Sequence, residues 1–329
     1  MRIMRHVIRI HHLLAVVLVA LGALAADSRH PALALSCSFD VTNINFGNVD
    51  LSDGTSHFAT GEMTADCSGN PFQWVTICPN IGSGNGNPTA HDPRQLKKWG
   101  NSSIKLNFNL YWPGSSTIWG SYLWPYPERP PVLHLRLSWG GSGNTSKTID
   151  ARLFGGQNAH PKGVYFSRFN NNHILFQYKS GYSQDCSSGT VKSEKPSFRV
   201  RVRNVKSCTV SATDIDFGAV GNLASNVDAT GTVTVRCTYD LPYKIRLDRG
   251  SSNASSPTQR KMSNGSDTIT YGTYSDAARS QPWGWLNSND VNATGTGYDQ
   301  TFTTYGRVPP QTTPPPGNYS ETIVVKVVF

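Results

Sequence analysis

The stretch CTVSATDIDFGAVGNLASNVDATGTVTVRC, residues 208–237, has a second copy upstream, CSFDVTNINFGNVDLSDGTSHFATGEMTADC, residues 37–67. Phe217-Gly218 stands nine residues after Cys208, as Phe46-Gly47 stands nine after Cys37, and Thr230-Gly231 matches Thr60-Gly61. An internal repeat of this length means duplicated domains. Val210, Ala212, Ile215 and Phe217, then Val233 and Val235, form two short alternating apolar runs separated by Gly, Asn, Ser and Asp, which is the pattern of two strands and a connection. Cysteines at the start of the first strand and the end of the second can then meet, Cys37 with Cys67 and Cys208 with Cys237. Each bridge closes a loop of about 30 residues, worth roughly 3 kcal/mol in the chain-entropy model.

Export follows from the N-terminus. Arg2, Arg5 and Arg9 precede an apolar run, residues 13–25, that is too short to span a bilayer comfortably. Residues 1–34 read as a secretory signal peptide, cleaved after Ala34 or alternatively after Ala25, where small residues recur at the required spacing. Removing it lowers the formal charge of +9. Arg199, Arg201 and Arg203 alternate with Val200 and Val202 as on the wet face of a strand, so no nucleic-acid partner is expected. Gly, Ser, Thr and Asn abound and helical periodicity is absent, so the class is all-β. The remaining length suits two domains, residues 35–205 and 206–329.

The duplication continues along both halves. A strand over residues 72–77, ending at Cys78, is followed by a loop at residues 79–93. The alternating run at residues 104–111 has its copy at residues 269–274; Trp119-Gly120 matches Trp283-Gly284, and Gly163-Val164-Tyr165 matches Gly317-Asn318-Tyr319. Cys78 and Cys186 have no counterparts, and the repeat leaves them as a third disulfide, although six cysteines alone allow fifteen pairings. Residues 111–131, YWPGSSTIWGSYLWPYPERPP, set large rings among prolines. Trp119 is shared and structural; Trp112, Tyr122, Leu123, Trp124 and Tyr126 are additional, and form a candidate surface-binding loop beside residues 79–93 and 157–161.

The order Cys, Phe-Gly, Thr-Gly, Cys, then Arg260-Lys261-Met262, the strand at residues 269–274, Trp283-Gly284, Tyr305-Gly306-Arg307-Val308-Pro309 and Gly317-Asn318-Tyr319 resembles the spore coat protein U domain. The first half departs from it through insertions and by Arg94-Gln95-Leu96 in place of Arg-Lys-Met. That family includes subunits of archaic chaperone-usher pili, and one divergent plus one regular domain resembles their two-domain tip adhesins. The resemblance implies two tandem immunoglobulin-like β-sandwiches and export to the surface of a Gram-negative bacterium. It also implies a function in surface attachment and biofilm formation. The partners implied are a periplasmic chaperone, an outer-membrane usher, the N-terminal donor strand of the next pilin subunit, and a hydrophobic surface or glycan at the tip.

The strand count supports this independently. After Tyr165 two strands are expected, at residues 174–178 and 198–203, but after Tyr319 only one, residues 322–329. A sandwich short of its last strand exposes an apolar groove and unpaired backbone groups until another strand fills it. Ile323, Val325, Val327 and Phe329 are expected on one side of that groove, and Val210, Ala212, Ile215 and Phe217 on the other. Cleavage after Ala34 leaves only Leu35-Ser36 before Cys37, so no donor strand is expected at the N-terminus, which favours the tip position. The alternative is a secreted carbohydrate-binding β-sandwich protein. No HExxH, GxSxG, Walker loop or CxxC is present, so neither catalysis nor a cofactor or metal is expected.

Overall fold

The structure is a computed structural model that describes residues 33–89 and 91–329. The expected leader falls outside these residues except for Leu33 and Ala34. The first sandwich comprises β1 (Ser36–Val41), β2 (Ile44–Val49), β3 (His57–Ser68), β4 (Trp74–Ile81), β5 (Arg94–Lys98), β6 (Asn101–Tyr111), β7 (Leu133–Arg136), β8 (Ser142–Leu153), β9 (Gly163–Phe169), β10 (Ile174–Ser180), β11 (Lys192–Glu194) and β12 (Phe198–Asn204). One sheet runs β1-β3-β8-β6-β5-β9-β12-β2 and the other β11-β10-β4-β7. Only Thr42 and Asn43 separate β1 from β2, yet these strands hold opposite ends of that order. The large sheet therefore curls until its two edges nearly meet.

The second sandwich comprises β13 (Cys208–Ala212), β14 (Val227–Cys237), β15 (Pro242–Leu247), β16 (Arg260–Asn264), β17 (Asp267–Tyr274), β18 (Val291–Thr294), β19 (Asp299–Val308) and β20 (Val325–Val328). Its sheets run β13-β14-β19-β17-β16 and β18-β15-β20. All-β architecture in two immunoglobulin-like sandwiches is as the sequence indicates, with differences at strand ends. β4 starts at Trp74, because Phe72 sits in a turn at φ 60°, and it continues through Cys78 to Ile81. The last strand is short, confined to Val325–Val328.

All three disulfides form as paired above. Cys37–Cys67 and Cys208–Cys237 join directly opposed residues of neighbouring antiparallel strands, and Cys78–Cys186 ties the middle of β4 to the segment between β10 and β11. The motif glycines have a steric cause. A Cβ on Gly61 would stand 2.7 Å from Ile44 Cγ1, and one on Gly231 2.9 Å from Ile215 Cγ1. Gly306 lies under the Phe217 ring, with 2.8 Å available. Only glycine lets the Phe-Gly segment lie this close to the strands beneath it.

Each sandwich also buries an arginine and a tryptophan completely: Arg94 with Trp119, and Arg260 with Trp283. The Arg94 guanidinium donates to the carbonyls of Ile81, Gly82 and Trp119 at 2.9, 2.7 and 2.6 Å and to Asn109 Oδ1 at 2.5 Å. Burial lowers its pKa to about 10, so it stays cationic at neutral pH. Trp119 Nε1 donates to the Pro79 carbonyl, and Trp283 Nε1 to that of Ile245. Gly272 takes the place of Asn109 in the second copy; Arg260 bonds Thr273 Oγ1 instead, and its Nη1 has no partner among the described residues. Arg94→Lys keeps the charge but loses the fork, leaving buried carbonyls unpaired. It should cost the first sandwich about 2–4 kcal/mol, read as a lower urea midpoint of that transition.

Candidate functional site

The two copies differ most where β12 lies. β12 runs antiparallel to β9, with Phe198 opposite Phe169, and parallel to β2, with Val200 opposite Ile44. Just before it, β11 pairs antiparallel with β10, Phe176 opposite Glu194. Residues 192–204 thus cover both β9 and β10. Beneath them Val41, Ile44, Phe169, Ile174, Phe176 and Tyr178 are buried.

In the second sandwich no strand among the described residues holds that place. Strand registers match Ile174 and Phe176 with Val325 and Val327, and Val41 with Ala212; continuing the alternation places Phe329 at Tyr178, and the contacts with Gly61 and Gly231 match Ile44 with Ile215. Val325, Val327 and Ile215 are only half-buried, Ala212 is exposed, and Phe329 is 48% exposed where Tyr178 is 3%. The Ile215–Phe217 segment forms no regular strand, contrary to the continuous strand expected, because among the described residues it has no neighbour to pair with beyond the Thr213 amide bond to Thr232. Between this segment and Ile323–Val325 lies a cleft of about 480 Å³, floored by Val233, Leu247, Met262 and Tyr271. Tyr271 packs edge-on to Phe217, and its hydroxyl donates to Glu321 at 2.5 Å. Burial first, and then Glu321, raise the pKa of that hydroxyl and keep it a donor. Val210 on β13 is 42% exposed, and the outer edge of β20 has no ladder partner among the described residues.

The aromatic loop is more ordered and less exposed than its composition suggests. Trp112 packs against the first core with its indole nitrogen enclosed. Tyr122 is half-buried beneath Arg129, and Trp124 is half-buried beside Tyr126. Tyr126 stacks on His91 at 3.6 Å, while His91 Nε2 bonds Glu128 at 2.8 Å. Leu123 alone of the five is exposed. Residues 157–161 do not flank this loop: Gln157 bonds the Asn107 carbonyl, Asn158 that of Ser52, and Pro161 bridges to Tyr239 of the second sandwich. The rings that do reach solvent include Phe72, Trp74 and Tyr182, with Arg136 over the first two and His134 stacked on the third. For Phe72 and Trp74 the signal in the sequence was the turn chemistry before Trp74, hidden because Phe72 reads as strand.

The fold and its strand-deficient second copy define an all-β protein of two immunoglobulin-like sandwiches. The chain belongs to the Spore Coat Protein U domain family, whose model matches residues 23–169 and 195–326. Among solved structures it is similar to a chain of the chaperone–tip adhesion subunit pre-assembly complex from the archaic chaperone-usher Csu pili of Acinetobacter baumannii. That match has 15% identity and a TM-score of 0.53, covering 89% of this chain and 100% of that one. The CupB6 tip adhesin from Pseudomonas aeruginosa matches at 12% identity and a TM-score of 0.37, over 85% of this chain and 91% of that one. At such identities the first likeness is one of fold. No curated protein sequence matches the chain.

The His91–Glu128 hydrogen bond ties the loop to a titratable carboxyl. Burial raises the Glu128 carboxyl, but the His91 hydrogen bond, then a backbone amide bond, and then the charges of His91 and Arg94 outweigh it and hold the group below its usual value. A carboxyl lowered in the folded state stabilises above its ordinary pKa of about 4.3, and that contribution is lost as pH falls through the folded value. Fluorine NMR of fluorotryptophan-labelled protein should show the Trp124 signal broadening on acidification below the ordinary carboxylate range. In Glu128→Gln it should be broad already at neutral pH.

Proposed function

We propose that this chain is the tip adhesin subunit of an archaic chaperone-usher pilus, a structural and binding protein rather than a catalyst. The observation that carries the reading is the contrast at one strand position. Phe198, Val200 and Val202 of β12 are buried in the first sandwich, each worth about 1.5–3 kcal/mol. The equivalent cleft of the second sandwich lies open beside two strand edges that can accept backbone hydrogen bonds. An incoming strand supplies both the apolar side chains and the ladder. Family membership and the fold shared with the Acinetobacter complex support a periplasmic chaperone as the first donor and a neighbouring subunit's N-terminal segment as the second, with the usher between them. Val210, Ala212, Ile215 and Phe217 would face Ile323, Val325, Val327 and Phe329 across the inserted strand. Domains at residues 35–205 and 206–329 then divide the work: the first attaches to a hydrophobic surface or glycan, the second joins the fibre. Cells carrying such fibres on the outer surface would adhere and form biofilm.

Fusing a neighbouring subunit's N-terminal segment after Phe329 tests this. The fused chain should stay soluble without the chaperone, and the melting transition of its second sandwich should rise by roughly 10–20 °C. An unfused chain that is already a stable monomer, with an unchanged transition after fusion, would overturn the reading. Attachment has its own measurement. Leu123→Ser combined with Trp74→Ala should reduce adhesion of piliated cells to polystyrene about tenfold while pili still assemble.

A further inference from the structure

The outward face of the large sheet in the first sandwich carries cations in register. Lys105 of β6 stands opposite Lys97 of β5, Lys97 opposite Phe166 of β9, and Phe166 opposite Arg201 of β12. Strands lie 4.7–4.9 Å apart, so this row spans about 15 Å. In the next row Arg199 stands opposite Arg168, and Arg203 extends the set along β12. Strand alternation puts all six on one face: Arg199, Arg201 and Arg203 are exposed between the buried Phe198, Val200, Val202 and Asn204, and Phe166 points outward between buried Tyr165 and Ser167. Lys97, Arg168 and Arg199 gather within 6.0 Å of the Phe166 ring centre. Trp99 leans on the same ring at 5.7 Å and is 67% exposed.

Beyond the contacts with the Phe166 ring, charge pairing does not account for this arrangement. Like charges directly opposite each other on neighbouring strands are destabilising, and the face holds two such pairs, Lys97 with Lys105 and Arg168 with Arg199. Among the described residues no carboxylate forms a salt bridge with any of the six. A face that carries uncompensated, self-repelling charge around an exposed indole is complementary to an extended polyanion.

We propose that this face binds an acidic polysaccharide, with carboxylate or sulfate groups on the lysines and arginines and a sugar ring against Trp99. Guanidinium forks bind planar or tetrahedral oxyanions in bidentate fashion, and the apolar face of a sugar packs on an indole. Duplex DNA presents charge but hides its ring faces in the stack, so it uses the cations and leaves Trp99 idle. The site lies apart from the aromatic loop and the second sandwich's cleft, and it does not depend on the pilus reading.

Biolayer interferometry of the full chain on immobilised heparin, polygalacturonate and a short DNA duplex tests it. Both glycans should bind at about 50 mM NaCl and weaken at least tenfold by about 300 mM, as screened charge requires. Lys97→Gln with Arg201→Gln should weaken glycan binding about tenfold or more, and Trp99→Ala severalfold, with melting temperatures preserved. Arg236→Gln, which removes a half-buried cation paired with Asp299 in the second sandwich, should leave glycan binding unchanged. Absence of glycan binding at low salt would overturn the proposal. So would DNA binding as tight as glycan binding with Trp99→Ala neutral, or an equal loss in Arg236→Gln.

Discussion

A β-sheet edge leaves peptide groups without partners and an apolar face without cover, and both sandwiches are shaped by how this position is met. In the first, residues 192–204 lie along β10 and β9 and then against β2, satisfying the two edges at once. The curl of the large sheet depends on it, since β12 joins β9 to β2 and closes the gap between the ends of the strand order. In the second the same scaffold is present, down to the disulfide, the buried arginine and the buried tryptophan, and the cover is absent among the described residues. The segment carrying Ile215 and Phe217 keeps its place through local contacts, packing on Gly231, Gly306 and Tyr271 after the Thr213 amide bond to Thr232.

That packing explains how an uncovered sandwich can hold its shape. The Phe217 ring rests on Gly306 and on the edge of Tyr271, whose hydroxyl is tied to Glu321, and Ser252 donates to the same carboxylate. Cys208–Cys237 fixes the far end of β13 to β14. The cleft is therefore framed by a disulfide at one end and a hydrogen-bonded cluster at the other. On the proposed reading, such preorganisation would lower the ordering entropy that an incoming strand must overcome.

Much of this was legible from local rules. The repeat located both copies of Cys, Phe-Gly, Thr-Gly and Trp-Gly, and alternation located β6, β12 and β17. Less legible were features that depend on which strands become neighbours. β4 is buried at every position from Val75 to Ile81, so periodicity could not place its ends, and Trp74 and Phe72 went unrecognised as solvent-facing rings. The aromatic loop misled in the opposite direction: Trp112 and Tyr126 find partners in the core and in His91, contacts between segments that composition does not report. The basic face is the strongest instance. Sequence shows only Arg199, Arg201 and Arg203 in alternation, an ordinary wet strand, whereas register across four strands adds Lys97, Lys105 and Arg168 to the same surface.

β12 joins these themes because its two faces have separate chemistry. Phe198, Val200 and Val202 point inward and complete a core; Arg199, Arg201 and Arg203 point outward and shape a surface potential. A strand that fills the last position of a sandwich thus also determines part of what that sandwich displays. In the first sandwich the chain supplies that strand itself, so its charged face is a fixed property of the chain. If the second sandwich is completed from outside, its apolar requirement selects the inward residues of the donor, but the outward ones are free to vary. The surface chemistry of the completed second sandwich would then belong partly to whichever chain lends the strand.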